Sequence, residues 1–280
     1  MRRLLCFLLL FSLGSQITFA ASSKAQAGNS KDINVNQPVI WASPERLVRD
    51  LRSTDGDIRR KALDLVGVPS SYSSAKFVEV QLRIGEMGRR HTDVAIVSLD
   101  LDLTNWYAAV AINVGSNWRR IGTFECWCKY ESDDLLSQFV RLDSAQGDEN
   151  ELVVHSSGGG TGLYERTEDR FRLRGKMLRK VMSFEDLRQE CLVPSKDVRC
   201  NIERRIFSSA AEEGLSVLIE TKKTIDPAVV PDVIFREPEL QIQYTAPISC
   251  KGFRWSEKEV RYVPAPLPKD NSCSQNRKEE

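Results

Sequence analysis

From residue 77 onward the hydrophobic period of this chain becomes two, and nothing else in the sequence limits its fold so strongly. Residues 77–85, 92–101, 106–115, 118–128 and 135–142 are successive β-branched and aromatic runs broken by turn residues. That pattern predicts strands presenting alternate side chains to two sides of a sheet. The series resumes at residues 199–208, 215–223, 239–245, 251–256 and 260–264. The expected fold is mainly β, with antiparallel hairpins forming a partial propeller-like or sandwich domain over residues 70–267.

The centre of this β region is residues 143–162, where an acidic turn, an apolar strand and a glycine-rich segment follow one another. Gly147 and Asn150 favour a turn, and residues 151–154 form a strand. Gly158, Gly159 and Gly160, with Gly162 after Thr161, are expected to stop that strand as a wide hairpin turn or bulge, since glycines lack the side chains a ladder packs with. Residues 164–173 then read as a strand with Arg170, Arg172 and Arg174 on one face and Phe171 and Leu173 on the other. A phosphate-cradling glycine loop opens onto a helix N-terminus. Here a strand follows, and neither the P-loop nor the Rossmann spacing is present. Residues 177–184 continue as a strand, and Ser183-Phe184-Glu185-Asp186 is expected to cap a short helix toward Cys191. Residues 107–124 and 164–184 share a strand, glycine turn, strand scheme, with Gly115 and Trp118 matching Gly175 and Leu178.

Before the β region, residues 39–69 have the periodicity of a helical hairpin. Ser43 and Pro44 mark a helix start, and Leu47, Val48 and Leu51 follow at helical spacing. A second helix over residues 57–66 carries Ile58, Ala62 and Leu65 on one stripe and stops at Gly67. Such a hairpin buries its stripe against the β domain as a cap, or leaves it as a docking face.

The first 20 residues carry Arg2 and Arg3, an apolar core over residues 4–13, and small residues before Ala21, the pattern of a secretory signal. Its apolar run is shorter than the ~20 residues a membrane span needs. Residues 21–38 read as a flexible linker and 268–280 as a disordered tail. Removing the signal changes 40 basic and 39 acidic residues to 38 and 39, since only Arg2 and Arg3 are lost. A net charge near zero gives no electrostatic case for nucleic acid. Periplasmic or extracellular placement follows, with no transmembrane segment.

Export makes cysteine usage informative. Without Cys6, the remaining six are Cys126, Cys128, Cys191, Cys200, Cys250 and Cys273, an even set that predicts disulfides. Cys191 and Cys200 form the expected local pair. Cys126 and Cys128, alternate residues of one strand, are expected not to bond each other, and their spacing is too close for a zinc pair.

The region around residues 143–154, and more weakly residues 93–102, resembles the FG-GAP or VCBS type of integrin-like repeat, in which Asp-rich turns precede a short apolar strand. Residues 57–67 look like one HEAT-type unit. The first resemblance implies β-propeller blades, extracellular placement and a binding or scaffolding role. Ala145 interrupts the family's calcium turn and Asp148 follows the glycine, so no calcium site is assigned.

Candidate sites are few. His155, beside Ser156 and Ser157, would need a nucleophile and an orienting acid to serve a hydrolase, and no Gly-x-Ser-x-Gly elbow occurs. Asp100, Asp102, Asp133 and Asp134 offer carboxyls for glycoside hydrolysis, and equally read as solvated turns. Trp106, Tyr107, Trp118, Trp127 and Trp255 form either an aromatic binding stripe or core packing. The function expected is a non-enzymatic envelope or extracellular protein that binds an unidentified protein or glycan partner, or serves as scaffold, without a metal or other cofactor. Asp148, His155, Trp106 and Trp127 are the candidate binding residues. The alternative is an exported hydrolase of a cell-wall or polysaccharide substrate with His155 near the site.

Overall fold

The computed structural model describes residues 39–72, 77–101, 105–126, 136–144, 149–160, 162–192, 199–209, 215–225, 228–229 and 243–267. The signal, linker and tail assignments lie outside them, as do Asp102, Trp127, Cys128, Asp133, Asp134, Asp148, Cys273 and most of the strand expected over residues 239–245.

Two antiparallel sheets hold the period-two segments. The first contains β1 (Ile40–Trp41), β2 (Phe77–Met87), β3 (Thr92–Leu101), β4 (Asn105–Val114) and β5 (Asn117–Cys126), in the order β1-β5-β4-β3-β2. The second contains β6 (Val140–Ser144), β7 (Asn150–Gly160), β8 (Leu163–Arg174), β9 (Met177–Leu192), β10 (Arg199–Ser209), β11 (Val217–Lys223), β12 (Ala228–Val229), β13 (Ser249–Ser256) and β14 (Arg261–Ala265). Its order is β14-β13-β11-β10-β9-β8-β7-β6, with β12 beside β10, and it curls into a half-barrel.

The apolar runs of β3 and β4 are nearly continuous because both their faces are covered. Val94, Ile96, Trp106, Ala108, Val110 and Ile112 pack toward the second sheet, meeting Leu152, Val154, Phe171 and Leu173. Ala95, Val97, Leu99, Ala109 and Ala111 face the helices. The two sheets therefore pack face to face through a shared core, the sandwich alternative of the expected fold.

The helical hairpin forms from its caps inward. Ser43 Oγ accepts from Arg46 N at 3.2 Å at the start of α1 (Pro44–Leu51), and Asp55 accepts from the Asp57 and Ile58 amides at the start of α2 (Gly56–Val66). Gly67 closes α2 in the left-handed region at φ 92°. Leu47, Val48, Leu51, Ala62, Leu63 and Val66 bury against the first sheet. The buried stripe of α2 is displaced from the expected one, since Ile58 is 43% exposed. Trp41 Nε1 and Arg120 Nη1 both donate to Leu65 O, at 3.1 and 2.8 Å, which ties the hairpin down as a cap.

Three local expectations are corrected. Residues 136–139 form a short helix, α3 (Leu136–Phe139), because Leu136 and Phe139 fill the sandwich core beside Trp106. The helix expected from Ser183 toward Cys191 is absent; β9 continues to Leu192, paired with β8 on one side and β10 on the other. Pairing of residues 183–185 with β8 outweighs a local capping signal. The third correction concerns the polyglycine run. Gly158, Gly159 and Gly160 belong to β7 and pair with Glu165, Tyr164 and Leu163. The turn lies beyond them, where Gly162 takes φ 81°.

Candidate functional site

Strand alternation on β8 turns Phe171 and Leu173 into the sandwich core and sends Glu168, Arg170, Arg172 and Arg174 to the other face, inside the curl of the second sheet. Glu151 and His155 of β7 stand on that same face. Burying a guanidinium is costly unless it is paired and hydrogen-bonded, and here the pairs form a ladder. Arg174 Nη1 donates to Glu149 at 3.1 Å, and Arg172 Nε donates to Glu151 Oε1 at 2.7 Å. Arg170 donates to Glu168 Oε1 at 2.5 Å, to Glu151 Oε2 at 3.2 Å and to Asp143 at 3.0 Å.

Aromatic rings from the far side of the half-barrel close over this ladder. The Arg170 guanidinium carbon lies 3.4 Å from the Phe207 centroid, and that of Arg172 lies 4.0 Å from the Trp255 ring. Tyr262 of β14 accepts from Arg172 Nη2 and donates to Glu151 Oε1, both at 2.8 Å. Burial, and then the neighbouring Glu151, push the Tyr262 phenol up, so it stays protonated and keeps that donor.

His155 sits at the lower end of the ladder and is 7% exposed. Its Nε2 lies 3.1 Å from Glu168 Oε2, while Arg141 Nη1 is 3.3 Å from Nδ1. The same Nη1 is 3.4 Å from Nε2, so the guanidinium lies against both ring nitrogens while Glu168 meets Nε2. Burial alone would push the Glu168 carboxyl up. The His155 hydrogen bond and the charges of Arg170, His155 and Arg141 outweigh it and hold the carboxyl at about 2. Asp186 Oδ2 is held by Arg166 Nε and Nη2 at 2.8 and 2.7 Å, and lies 3.9 Å from His155 Nε2.

His155, Glu168 and Asp186 offer ligand atoms within 4.8 Å of one another, all buried. Their surroundings do not fit a cation. The Arg141 guanidinium stands against both imidazole nitrogens, and Arg166 and Arg170 add two further positive charges beside the same carboxylates. General-base catalysis meets the same obstacle, because Arg141 lies against both ring nitrogens and Glu168 against Nε2. Ser157, two residues along, has its hydroxyl 3.6 Å from Cys126 Sγ.

The other candidates are dispersed. Trp106 is 1% exposed and packs against Phe139 at 6.1 Å, whereas its neighbour Tyr107 enters the helix-side core. Trp118 is half-buried at that core, and Trp255 lies over Arg172. The aromatic residues that the structure describes therefore pack inside and form no common stripe. Asp100 is buried on β3 at 3% exposure rather than solvated. Cys191 and Cys200 face each other across β9 and β10 and form a disulfide. Cys126 and Cys250 are disulfide-bonded as well. Sequence reasoning missed Glu149, Glu151, Arg141, Arg166, Asp186 and Tyr262. The alternation of charge across residues 164–174 was the available signal.

Compared with protein-family models, with curated proteins and with solved structures, the chain matches none.

Proposed function

We propose that this chain is an exported, non-enzymatic β protein that binds a partner at its surface or serves as a scaffold in the envelope or extracellular space. One observation carries the reading: both ring nitrogens of His155 lie against Arg141, and Nε2 also meets Glu168, within a buried ion-pair network. A network of this kind fixes the curl of a sheet, since each strand contributes a charge that only its neighbours neutralise. The described disulfide supports placement in an oxidising compartment. No helix among the described residues is long and apolar enough to cross a membrane.

The test pairs His155→Ala with a screen of esterase, amidase and glycosidase substrates. Loss of the buried Glu168 hydrogen bond should lower stability by ~1–3 kcal/mol, with no turnover by the wild type. A wild-type hydrolytic activity that disappears in His155→Ala while the melting temperature holds would refute the proposal in favour of a hydrolase.

A further inference from the structure

Strand direction brings the β2–β3, β8–β9 and β13–β14 turns to one end of the molecule, where they touch. Arg89 of the first turn donates to Glu149 at 2.8 Å and to Glu257 of the third at 2.5 Å. Arg179, just after the second turn, donates to Glu259 O at 3.1 Å. A Cβ placed on Gly88 would stand 3.5 Å from Leu173 Cβ. The three turns thus form one contiguous end rather than three separate loops.

This end carries an excess of cations, since Arg90, Lys176, Arg179 and Lys258 outnumber the exposed carboxylates Glu86 and Asp93 beside the first turn. Arg90, Lys176 and Lys258 are exposed and have no ion pair among the described residues, and Arg179 is satisfied by a carbonyl alone. Met177 projects beside them at 71% exposure, the most exposed large apolar side chain among those described. The backbone is also strained here. His91 takes φ 47° and Val260 takes φ 54°, and a β-branched residue is a genuine outlier in that region. Strain of this kind persists where the surroundings over-determine it and gathers at functional positions.

We infer that this end is a docking surface for an anionic phospholipid bilayer, with Lys176, Lys258 and Arg90 meeting headgroups and Met177 entering between them. The inference rests on the non-enzymatic binding reading and names its partner. Cations on a short apolar protrusion match a negatively charged interface.

The test is co-sedimentation of the full chain with vesicles of phosphatidylcholine alone and with one third phosphatidylglycerol, at low and high salt. Binding should require the anionic lipid and fall with salt. Lys176→Gln and Lys258→Gln should each weaken it by about fivefold, and together by roughly 25-fold. Both substitutions are on exposed turns, and an unchanged melting temperature separates lost contact from lost fold. Equal binding to neutral and anionic vesicles, binding unaffected by the lysine substitutions, or binding to a soluble acidic polysaccharide without binding to vesicles would each overturn the inference. The substrate screen with His155→Ala tests the non-enzymatic reading separately, so either result can fail without the other.

Discussion

Replacing Glu168 with Gln isolates the electrostatic part of the buried network, because the amide keeps the carboxylate's shape and one acceptor oxygen. Folded, the carboxyl is held at about 2 by His155, Arg170 and Arg141 acting against burial; in an unfolded chain it titrates near ~4.3. The folded value is the depressed one, so the stabilisation is complete above the unfolded value and is lost as pH falls toward the folded value. The difference corresponds to about 3 kcal/mol, of which about 1.7 kcal/mol is already gone at pH 3. The side chain is 7% exposed, so solvent screening takes little from this figure. The assay is urea unfolding of the wild type and Glu168→Gln at pH 6, 5, 4 and 3. The stability gap between them should be widest at pH 6 and shrink steadily below pH 5. A gap that stays constant across this range would show that Glu168 contributes by packing and not by charge, and the reasoning would fail.

Serine at both Cys191 and Cys200 should cost ~2–3 kcal/mol from the freed loop, and mass spectrometry of unreduced peptides should recover the crosslink; free thiols at both positions would contradict it. Gly67→Ala should lower stability by more than ~1 kcal/mol, since φ is 92° and the new Cβ would approach Arg120 Nη1 at 2.6 Å. Gly158→Ala should be neutral or stabilising by up to ~1 kcal/mol in thermal denaturation, because it is in a strand with nothing within 4 Å of the added carbon.

The strands and the helical hairpin were legible because each rests on local spacing. Phe171 and Leu173 announced one face of β8, and the three arginines between and beside them announced the other. What they face was not legible: Tyr262 meets Glu151 across 111 positions and Arg172 across 90, and no spacing rule spans such distances. The alternation of Arg170, Arg172 and Arg174 therefore marked a face without showing that Arg170 and Arg172 are buried on it. The glycine run misled for a related reason. Glycines 158–160 lack side chains to pack, yet β8 supplies a partner backbone for all three. Ser183 through Asp186 carried a helix-start pattern that pairing with β8 overrode.

The pairing of each long strand with its neighbour in sequence has a consequence for synthesis. Hairpins of the second sheet can form in order as the chain emerges, each needing only the strand before it. The exception is β14, whose Tyr262 reaches back to Glu151 and Arg172. Until that strand arrives, the arginine ladder lacks its last polar partner and faces water. The half-barrel therefore gains its dry interior only at the final step, and a chain stopped before residue 262 would present an open charged trough to the cell's quality control.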